Sequence, residues 1–300
     1  MSEVVVVGSI NVDRAVEVPS ALERGATLLG ADVHRGPGGK GANQAVALAR
    51  LGRDVGMLGA VGADADGDWM LGILADEGVD TGGITRSEAP TGQAFVFVEP
   101  GGESTIVVAP GANGTLSAAG LDGLADRIAA ARCVLAQQEV PADVVARASE
   151  LCRGMFVLNP APARPISPEV LQRVDVLVPN RHELAALAGV PGTDDIAALT
   201  EMARSLEGPR IVVVTLGAHG ALVVDEGRTT HVPAIPVDAI DATAAGDTFC
   251  AALTDGLLNG ASAVDAARWA VRVAALTVQR RGAMDSIPRR AEVDRTTDRA

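Results

Sequence analysis

The chain contains no tyrosine, and aromatic residues of all kinds make up only 2% of it. A core must therefore be assembled from Val, Leu, Ile and Ala, and the scarcity argues against stacking platforms for single-stranded nucleic acid. Positive charge is also in short supply: 25 Lys and Arg face 38 Asp and Glu, leaving a net charge of −13. Nucleic-acid binding depends on clustered cations that neutralise phosphates, so this balance speaks against it, though not against a small phosphorylated ligand. Cys133, Cys152 and Cys250 are widely spaced and form no CxxC pair, the pattern of reduced thiols in a cytosolic protein. The four histidines, His34, His182, His219 and His231, lack metal-ligand spacing, and neither GxSxG nor HExxH occurs, so zinc-enzyme and hydrolase readings have no support. The start, Met-Ser-Glu-Val-Val-Val-Val-Gly, lacks a basic segment and long apolar stretch, and no run approaches a membrane span. The expectation is a soluble, cytoplasmic protein without nucleic-acid or membrane partners.

What is present is an alternation. Val4–Val7 is a continuous β-branched run ending at Gly8, and similar runs recur at Cys133–Leu135, Met155–Leu158, Val174–Val178, Ile211–Thr215 and Ala221–Val224. Continuous runs of this kind suit strands buried on both faces. Between them lie Ala/Leu-rich helical patterns at Gly41–Leu51, Trp69–Glu77, Ser117–Ala131, Ala142–Leu151, Glu183–Ala188 and Thr193–Leu206. The alternation predicts an α/β fold of three layers, a mostly parallel central sheet with helices on both faces. Ligands of such sheets sit at the carboxyl ends of the strands. Two stretches, 11–36 and 91–112, lack helical periodicity, and Thr91–Val98 and Glu103–Val108 flank a hairpin signal at Pro100-Gly-Gly102. They are expected to form a small β-layer over one end of the sheet. Arg289–Ala300 is read as a peripheral charged tail on a single domain spanning 1–300.

The segments just after the strands carry the chemistry. Asp241-Ala-Thr-Ala-Ala-Gly-Asp247 runs into an apolar helical segment with Asp247 in its first turn. Free N–H groups at a helix start favour anionic oxygens. A carboxylate beside them reads as a base that deprotonates a hydroxyl while the N–H groups hold charge on a phosphoryl group. Taken alone, the same residues read better as an acid-capped helix, and the rest of the chain shifts that balance. Gly36-Pro-Gly-Gly-Lys-Gly41 matches GxGxxG formally, but it lies far from the first strand and lacks the Ser or Thr of a phosphate loop. It reads as a glycine-rich helix entry at which Lys40 and Asn43 meet ligand hydroxyls, or as a plain entry with a solvated lysine. Asn11 and Asp13 follow the first strand and share one side of an extended segment, as polyol ligands or as an Asx turn. Glu139 follows another strand. Asn180 and Glu183 open a helix and suit either a cap or a hydrated Mg²⁺. Thr215-Leu-Gly217-Ala-His-Gly220 offers a hydroxyl and flexible backbone for a nucleotide.

Six ordered segments, GSINVD at 8–13, GGKGANQAVA at 38–47, NPAPAR at 159–164, VPNRHE at 178–183, TLGAHG at 215–220 and AAGDTF at 244–249, resemble the ribokinase (PfkB-type) carbohydrate kinase family over about residues 4–288. The resemblance implies ATP-dependent transfer of the γ-phosphoryl group to the 5-hydroxyl of D-ribose. Asp247 matches the catalytic base, and Ala244, Ala245, Gly246 and Asp247 the anion hole. Asn11, Asp13, Gly39, Lys40, Asn43 and Glu139 match sugar-binding positions. Asn180 matches a phosphate position and Glu183 a water-mediated Mg²⁺ position, while Thr215, Gly217, Gly220 and Gly246 match the ATP site. The family is similar in carrying a K⁺ site, matched here by the Asp241 and Ser286 side chains and the Thr243, Thr277, Arg280 and Gly282 carbonyls. It also implies a β-lid, at 11–36 and 91–112, that forms a homodimer contact. Departures are Ala242 after Asp241, Arg24-Gly-Ala26 in place of the lid's Pro-Gly-Glu, and His34 and Arg35 before the glycine turn. Competing readings are a kinase for a nucleoside, such as adenosine, or another pentose or hexose, a non-catalytic sugar-binding regulator, and, last, a dinucleotide oxidoreductase.

Overall fold

The computed structural model describes residues 2–25, 27–100 and 104–297. In chain order the elements are β1 (Val4–Val7), β2 (Asn11–Glu17), β3 (His34–Gly38), α1 (Lys40–Arg50), β4 (Val55–Gly62), α2 (Ala65–Asp76), β5 (Asp80–Ser87), β6 (Gly92–Val98) and β7 (Ser104–Ala109). There follow α3 (Ala118–Asp122), α4 (Ala125–Ala130), β8 (Cys133–Gln137), α5 (Ala142–Leu151), β9 (Met155–Asn159), α6 (Pro168–Leu171), β10 (Val176–Leu177), α7 (Arg181–Ala188) and α8 (Ile196–Ser205). The last are β11 (Ile211–Thr215), β12 (Ala221–Asp225), β13 (Arg228–Val232), α9 (Ala245–Leu258), α10 (Ala263–Thr277) and α11 (Arg290–Thr297).

The main sheet runs β13-β12-β11-β10-β9-β8-β1-β4-β5, parallel from β11 to β5 and antiparallel through β12 and β13. β1 lies inside it, and its side chains alternate between two cores. Val4 and Val6 join a cluster with α1, α9 and α10, whereas Val5 and Val7 join one with α5 and α8. Both faces are thus buried, which is why the strand reads as an unbroken apolar run. α1 is buried along nearly its whole length, from Gly41 to Leu48. Its small residues let it pass between the sheet and α9.

A second sheet, ordered β3-β2-β6-β7, forms the small β-layer. β2 pairs antiparallel with β3, placing Asn11 opposite Gly38 and Asp13 opposite Gly36. The hairpin of β6 and β7 is present, with Val98 opposite Ser104; its expected turn at Gly101 and Gly102, like Ala26, lies outside the described residues.

Several elements differ from the sequence expectation. Ser117–Ala131 is two short helices, broken at Gly123 and Leu124, instead of one. β4, β5 and α10 had no clear counterpart in the periodicity. The expected turn at Gly36–Gly41 is narrower, because Gly36–Gly38 belongs to β3 and the helix begins at Lys40. Within the expected tail from Arg289, Arg290–Thr297 forms α11, and its Val293 is fully buried.

Candidate active site

The carboxyl ends of β9, β10 and β11 converge with the starts of α1, α7 and α9 around a cavity of about 200 Å³. Lys40, Asn159, Asn180, Glu183, Thr215, Ala242, Ala244, Gly246, Asp247 and Cys250 are among its lining residues.

At its centre is Asp247, 7% exposed, in the first turn of α9. Its Oδ2 accepts from Asn43 Nδ2 at 2.9 Å and its Oδ1 from Gln44 Nε2 at 3.0 Å. Ahead of it, Ala244 takes a left-handed conformation, φ 58°, unusual for a residue with a Cβ. That kink turns the chain into α9 with no side-chain cap over the helix start. The helix supplies no acceptor for the Gly246 and Asp247 N–H groups, as expected of a first turn. Ala245 differs from the expectation: its N–H donates to the Ala242 carbonyl at 3.2 Å, so this turn already uses one member of the expected anion hole.

A second polar group surrounds Glu139. Its Oε2 accepts from Ser9 Oγ at 2.5 Å, the Lys40 N–H at 3.3 Å and Asn11 Nδ2 at 3.5 Å. Asn113 Nδ2 donates to Asn11 Oδ1 at 2.8 Å, which turns the Asn11 NH₂ toward Glu139. Gly39 has φ 92°, and a Cβ there would lie 2.6 Å from the Asn11 nitrogen. Only glycine lets α1 start this close to the β1 exit. Burial, then Glu139 and Asp247, push the Asp13 carboxyl up to about 7, with Lys40 opposing. For Lys40, burial works to lower the pKa, but Asp247, Glu139 and Glu183 outweigh it and hold the ammonium above its ordinary range. Lys40 is therefore a half-buried ammonium in the field of three carboxylates. Burial likewise pushes the Cys250 thiol up.

Asn180 and Glu183 form a reciprocal capping box on α7, with Asn180 Oδ1 accepting from the Glu183 N–H and Glu183 Oε2 from the Asn180 N–H, each at 2.8 Å. Both still line the cavity. Burial raises the Glu183 carboxyl despite the Asn180 N–H and Lys40. Thr215 lines the cavity and bridges to Asn180, while Gly217 and Gly220, both at positive φ, shape the turn behind it.

Asp241 stitches two loops together, Oδ1 accepting from the Thr243 N–H and Oδ2 from the Gly282 N–H, each at 2.9 Å. Burial works against ionisation, but these donors hold the carboxyl below its ordinary range. Ser286 is buried and donates to the Ala283 carbonyl at 2.7 Å, and the Thr277 carbonyl accepts from the Arg280 N–H at 3.1 Å. Arg35 points at α2, pairing with Asp66 at 2.6 Å and stacking 3.9 Å over Trp69. It is therefore engaged outside the cavity.

Sequence reasoning missed Gln44, Asn113, Ser9 and Asn159. Gln44 carried a usable signal: a Gln on the apolar face of a helix, at i+4 from Lys40, has no reason to be buried unless a polar partner waits for it.

The site and fold are those of a carbohydrate kinase: residues 1–290 match the pfkB family carbohydrate kinases, and the chain belongs to that family. Among its relatives is the ribokinase of Haemophilus influenzae, 40% identical over 294 residues that cover 96% of this chain and 95% of that one. The ribokinase of Thermotoga maritima superposes with a TM-score of 0.91 at 32% identity, covering 99% of this chain and all of that one (100%). An Arabidopsis thaliana ribokinase complexed with ribose and ATP gives 0.89 at 31% identity, covering 98% of each chain. No described helix is long and apolar enough to cross a membrane.

Proposed function

We propose that this chain transfers the γ-phosphoryl group of ATP to the 5-hydroxyl of D-ribose. The observation that carries the reading is the placement of Asp247, a buried carboxylate held by two amides, beside unpartnered helix N–H groups and the hydroxyl-facing cluster of Glu139, Asn11, Asp13 and Lys40. In the reaction the hydroxyl proton passes to the Asp247 carboxylate as the hydroxyl oxygen bonds to the γ-phosphorus. The bond from that phosphorus to the bridging oxygen breaks, and ADP leaves with the electron pair. Phosphoryl transfer asks mainly for alignment and charge stabilisation. Here Lys40 and the Gly246 and Asp247 N–H groups supply the charge stabilisation, and Thr215 with the Gly217–Gly220 turn takes the nucleotide.

A bound Mg²⁺ would neutralise charge on the phosphates, and Glu183 is the residue that would hold it through water. Glu183 fits a hydrated Mg²⁺, since its second carboxylate oxygen is not used by the capping box and burial leaves the charge undercompensated. A K⁺ site formed by Asp241, Ser286 and the carbonyls of Thr243, Thr277, Arg280 and Gly282 is supported by the way Asp241 ties its loops together. Residues 11–36 and 91–112 form the lid of a single kinase domain and its homodimer contact, in a cytoplasmic protein.

The test is a coupled ADP-release assay with D-ribose, ATP and Mg²⁺, with and without K⁺, run beside adenosine, 2-deoxyribose and fructose. Ribose-dependent turnover that exceeds the other acceptors supports the reading, and a rise with K⁺ supports the cation site despite Ala242. Turnover on another acceptor alone keeps the phosphotransferase and rejects ribose.

A further inference from the structure

We propose that Gln44 is a positioning residue for phosphoryl transfer. It fixes the orientation of the Asp247 carboxylate through an amide chain anchored on a backbone carbonyl. The inference rests on the reading of Asp247 as the base.

The chain starts where no ambiguity exists. Asn159 Nδ2 donates to the Val178 carbonyl at 2.9 Å, and a carbonyl can only accept. Asn159 Oδ1 must then face away, and it accepts from Gln44 Nε2 at 3.2 Å. The same Nε2 donates to Asp247 Oδ1 at 3.0 Å. Gln44 Oε1, left on the far side, accepts from Gln137 Nε2 at 2.5 Å. Turning the Gln44 amide over would set its oxygen against two other oxygens and its nitrogen against the Gln137 nitrogen. One backbone carbonyl thus dictates, through two side chains, that an N–H and not an oxygen faces the base. Gln44 and Gln137 are fully buried, so water does not compete for these bonds.

The second donor to Asp247 has a different duty. Asn43 holds Oδ2, but its own Oδ1 is buried without a partner. A buried acceptor left open is free to take a further donor. Asn43 thus keeps an open acceptor beside its bond to Asp247, whereas Gln44 has no polar atom left open, its Nε2 being shared between Asp247 and Asn159 and its Oε1 taken by Gln137. The other groups acting on Asp247 are Lys40, Asp13, Glu183 and the Cys250 thiol. Gln44 adds to them a neutral donor with fixed direction. A carboxylate that loses such a donor is protonated more readily and can rotate away from in-line attack.

The decisive experiment is the pH dependence of kcat at saturating ribose and ATP, which reports groups in the ternary complex rather than free Asp13. Gln44→Leu is expected to lower kcat by about tenfold to a hundredfold, with the acid limb moved to higher pH. Ribose affinity by calorimetry should stay within about threefold, since Gln44 does not face the sugar. The isosteric Gln44→Glu keeps the packing but sets a carboxyl against Asp247, and should raise the acid limb by about one unit or more. Gln137→Met, one link upstream, should move it the same way by less. If all three variants leave the acid limb in place, or lose activity only in proportion to a fall in Tm, the positioning role is wrong. An NMR measurement separates this from the identity of the acceptor. The Gln44 side-chain amide signal, assigned by its loss in Gln44→Leu, should shift in Asp247→Asn without any substrate. An unshifted signal overturns the contact even if ribose proves to be the acceptor, and a shifted one upholds it even if ribose does not.

Discussion

Asp247 carries the sharpest prediction at the scale of single residues. Asp247→Asn keeps the shape and can still hydrogen-bond, but it cannot take a proton. General-base help is worth about 10²–10⁴ in rate, so kcat should fall by about that factor while ribose and ATP affinities change little. Single-turnover kinetics with separate binding measurements check it, and near-wild-type turnover removes Asp247 from the base role. Asp13 makes a prediction about pH. Its folded carboxyl sits at about 7 against an ordinary 3.8, because burial and the neighbouring Glu139 and Asp247 oppose its charge more than Lys40 favours it. A carboxyl raised on folding contributes stability in full below its unfolded value, and loses that contribution as pH climbs through the folded value. At about 1.4 kcal/mol per unit the ceiling is about 4 kcal/mol. Asp13→Asn should therefore stabilise the ligand-free protein relative to wild type more at pH 8 than at pH 5. Paired thermal melts test this; a Tm difference constant across that window would place Asp13 in a more solvated setting.

At the scale of elements the site depends on α1, which brings Lys40 to the cavity and Asn43 and Gln44 to the Asp247 carboxylate. Its first turn lies against the β1 exit, backbone to backbone: a Cβ on Gly41 would sit 2.6 Å from the Gly8 carbonyl carbon and the Ser9 nitrogen. Neither neighbour is a side chain that can swing away. Gly41→Ala should cost about 1–3 kcal/mol from overpacking and raise the KM for ribose as α1 is displaced. Gly72→Ala in the middle of α2, where nothing lies within 4 Å, is the matched control and should stabilise by about 0.5–1 kcal/mol. Equal effects of the two would mean that α1 is less closely set than the geometry indicates. Close backbone approach of this kind also decided what could be read from sequence. β1, β8, β9 and β11 were legible because continuous Val, Leu and Ile runs are what two buried faces require. β4, Val-Gly-Met-Leu-Gly-Ala-Val-Gly, hid because glycine interrupts the run; a Cβ on Gly59 would lie 3.0 Å from the Gly8 carbonyl oxygen. Of the residues named from segments after strands, Asn180, Glu183, Thr215 and Asp247 line the cavity, because the order of the strands places their carboxyl ends side by side, while Asn11 and Glu139 meet in a separate polar group. Asn43 and Glu139 were named, but the other partners of Asp247 and Asn11, Gln44 and Asn113, and Asn159 behind Gln44, did not show, since each is set by contacts more than 100 residues away along the chain.

For the molecule as a whole, the small β-layer raises a question that its own strands pose. β7 is the edge of that sheet, and Ile106, Val107 and Val108 are 55%, 55% and 40% exposed, with Phe95 of β6 at 36% beside them. An apolar edge strand open on both faces invites pairing with another copy, and proteins that stay monomeric usually blunt such edges with charge or proline. None of Thr105–Ala109 is charged. Charge works the other way, since two copies at −13 each repel. Association through this edge must be driven by apolar area and backbone pairing, with electrostatics opposing it. Salt screens the repulsion without weakening burial, so self-association should tighten from about 0.05 to 0.5 M NaCl. Sedimentation velocity should give about twice the 30.4 kDa chain mass. Val107→Glu sets a charge on the strand and doubles it across the pair, and should return the protein to monomer with its Tm nearly unchanged, because Val107 is exposed in a single copy. A wild-type monomer throughout the salt range, or a dimer that loosens as salt is added, would assign the exposed strip to something other than self-pairing. The active-site cavity lies within one chain, so the monomeric variant should still turn over. A loss confined to ribose affinity would locate the dimer's contribution in how firmly β2, which carries Asn11 and Asp13, is held over the sugar.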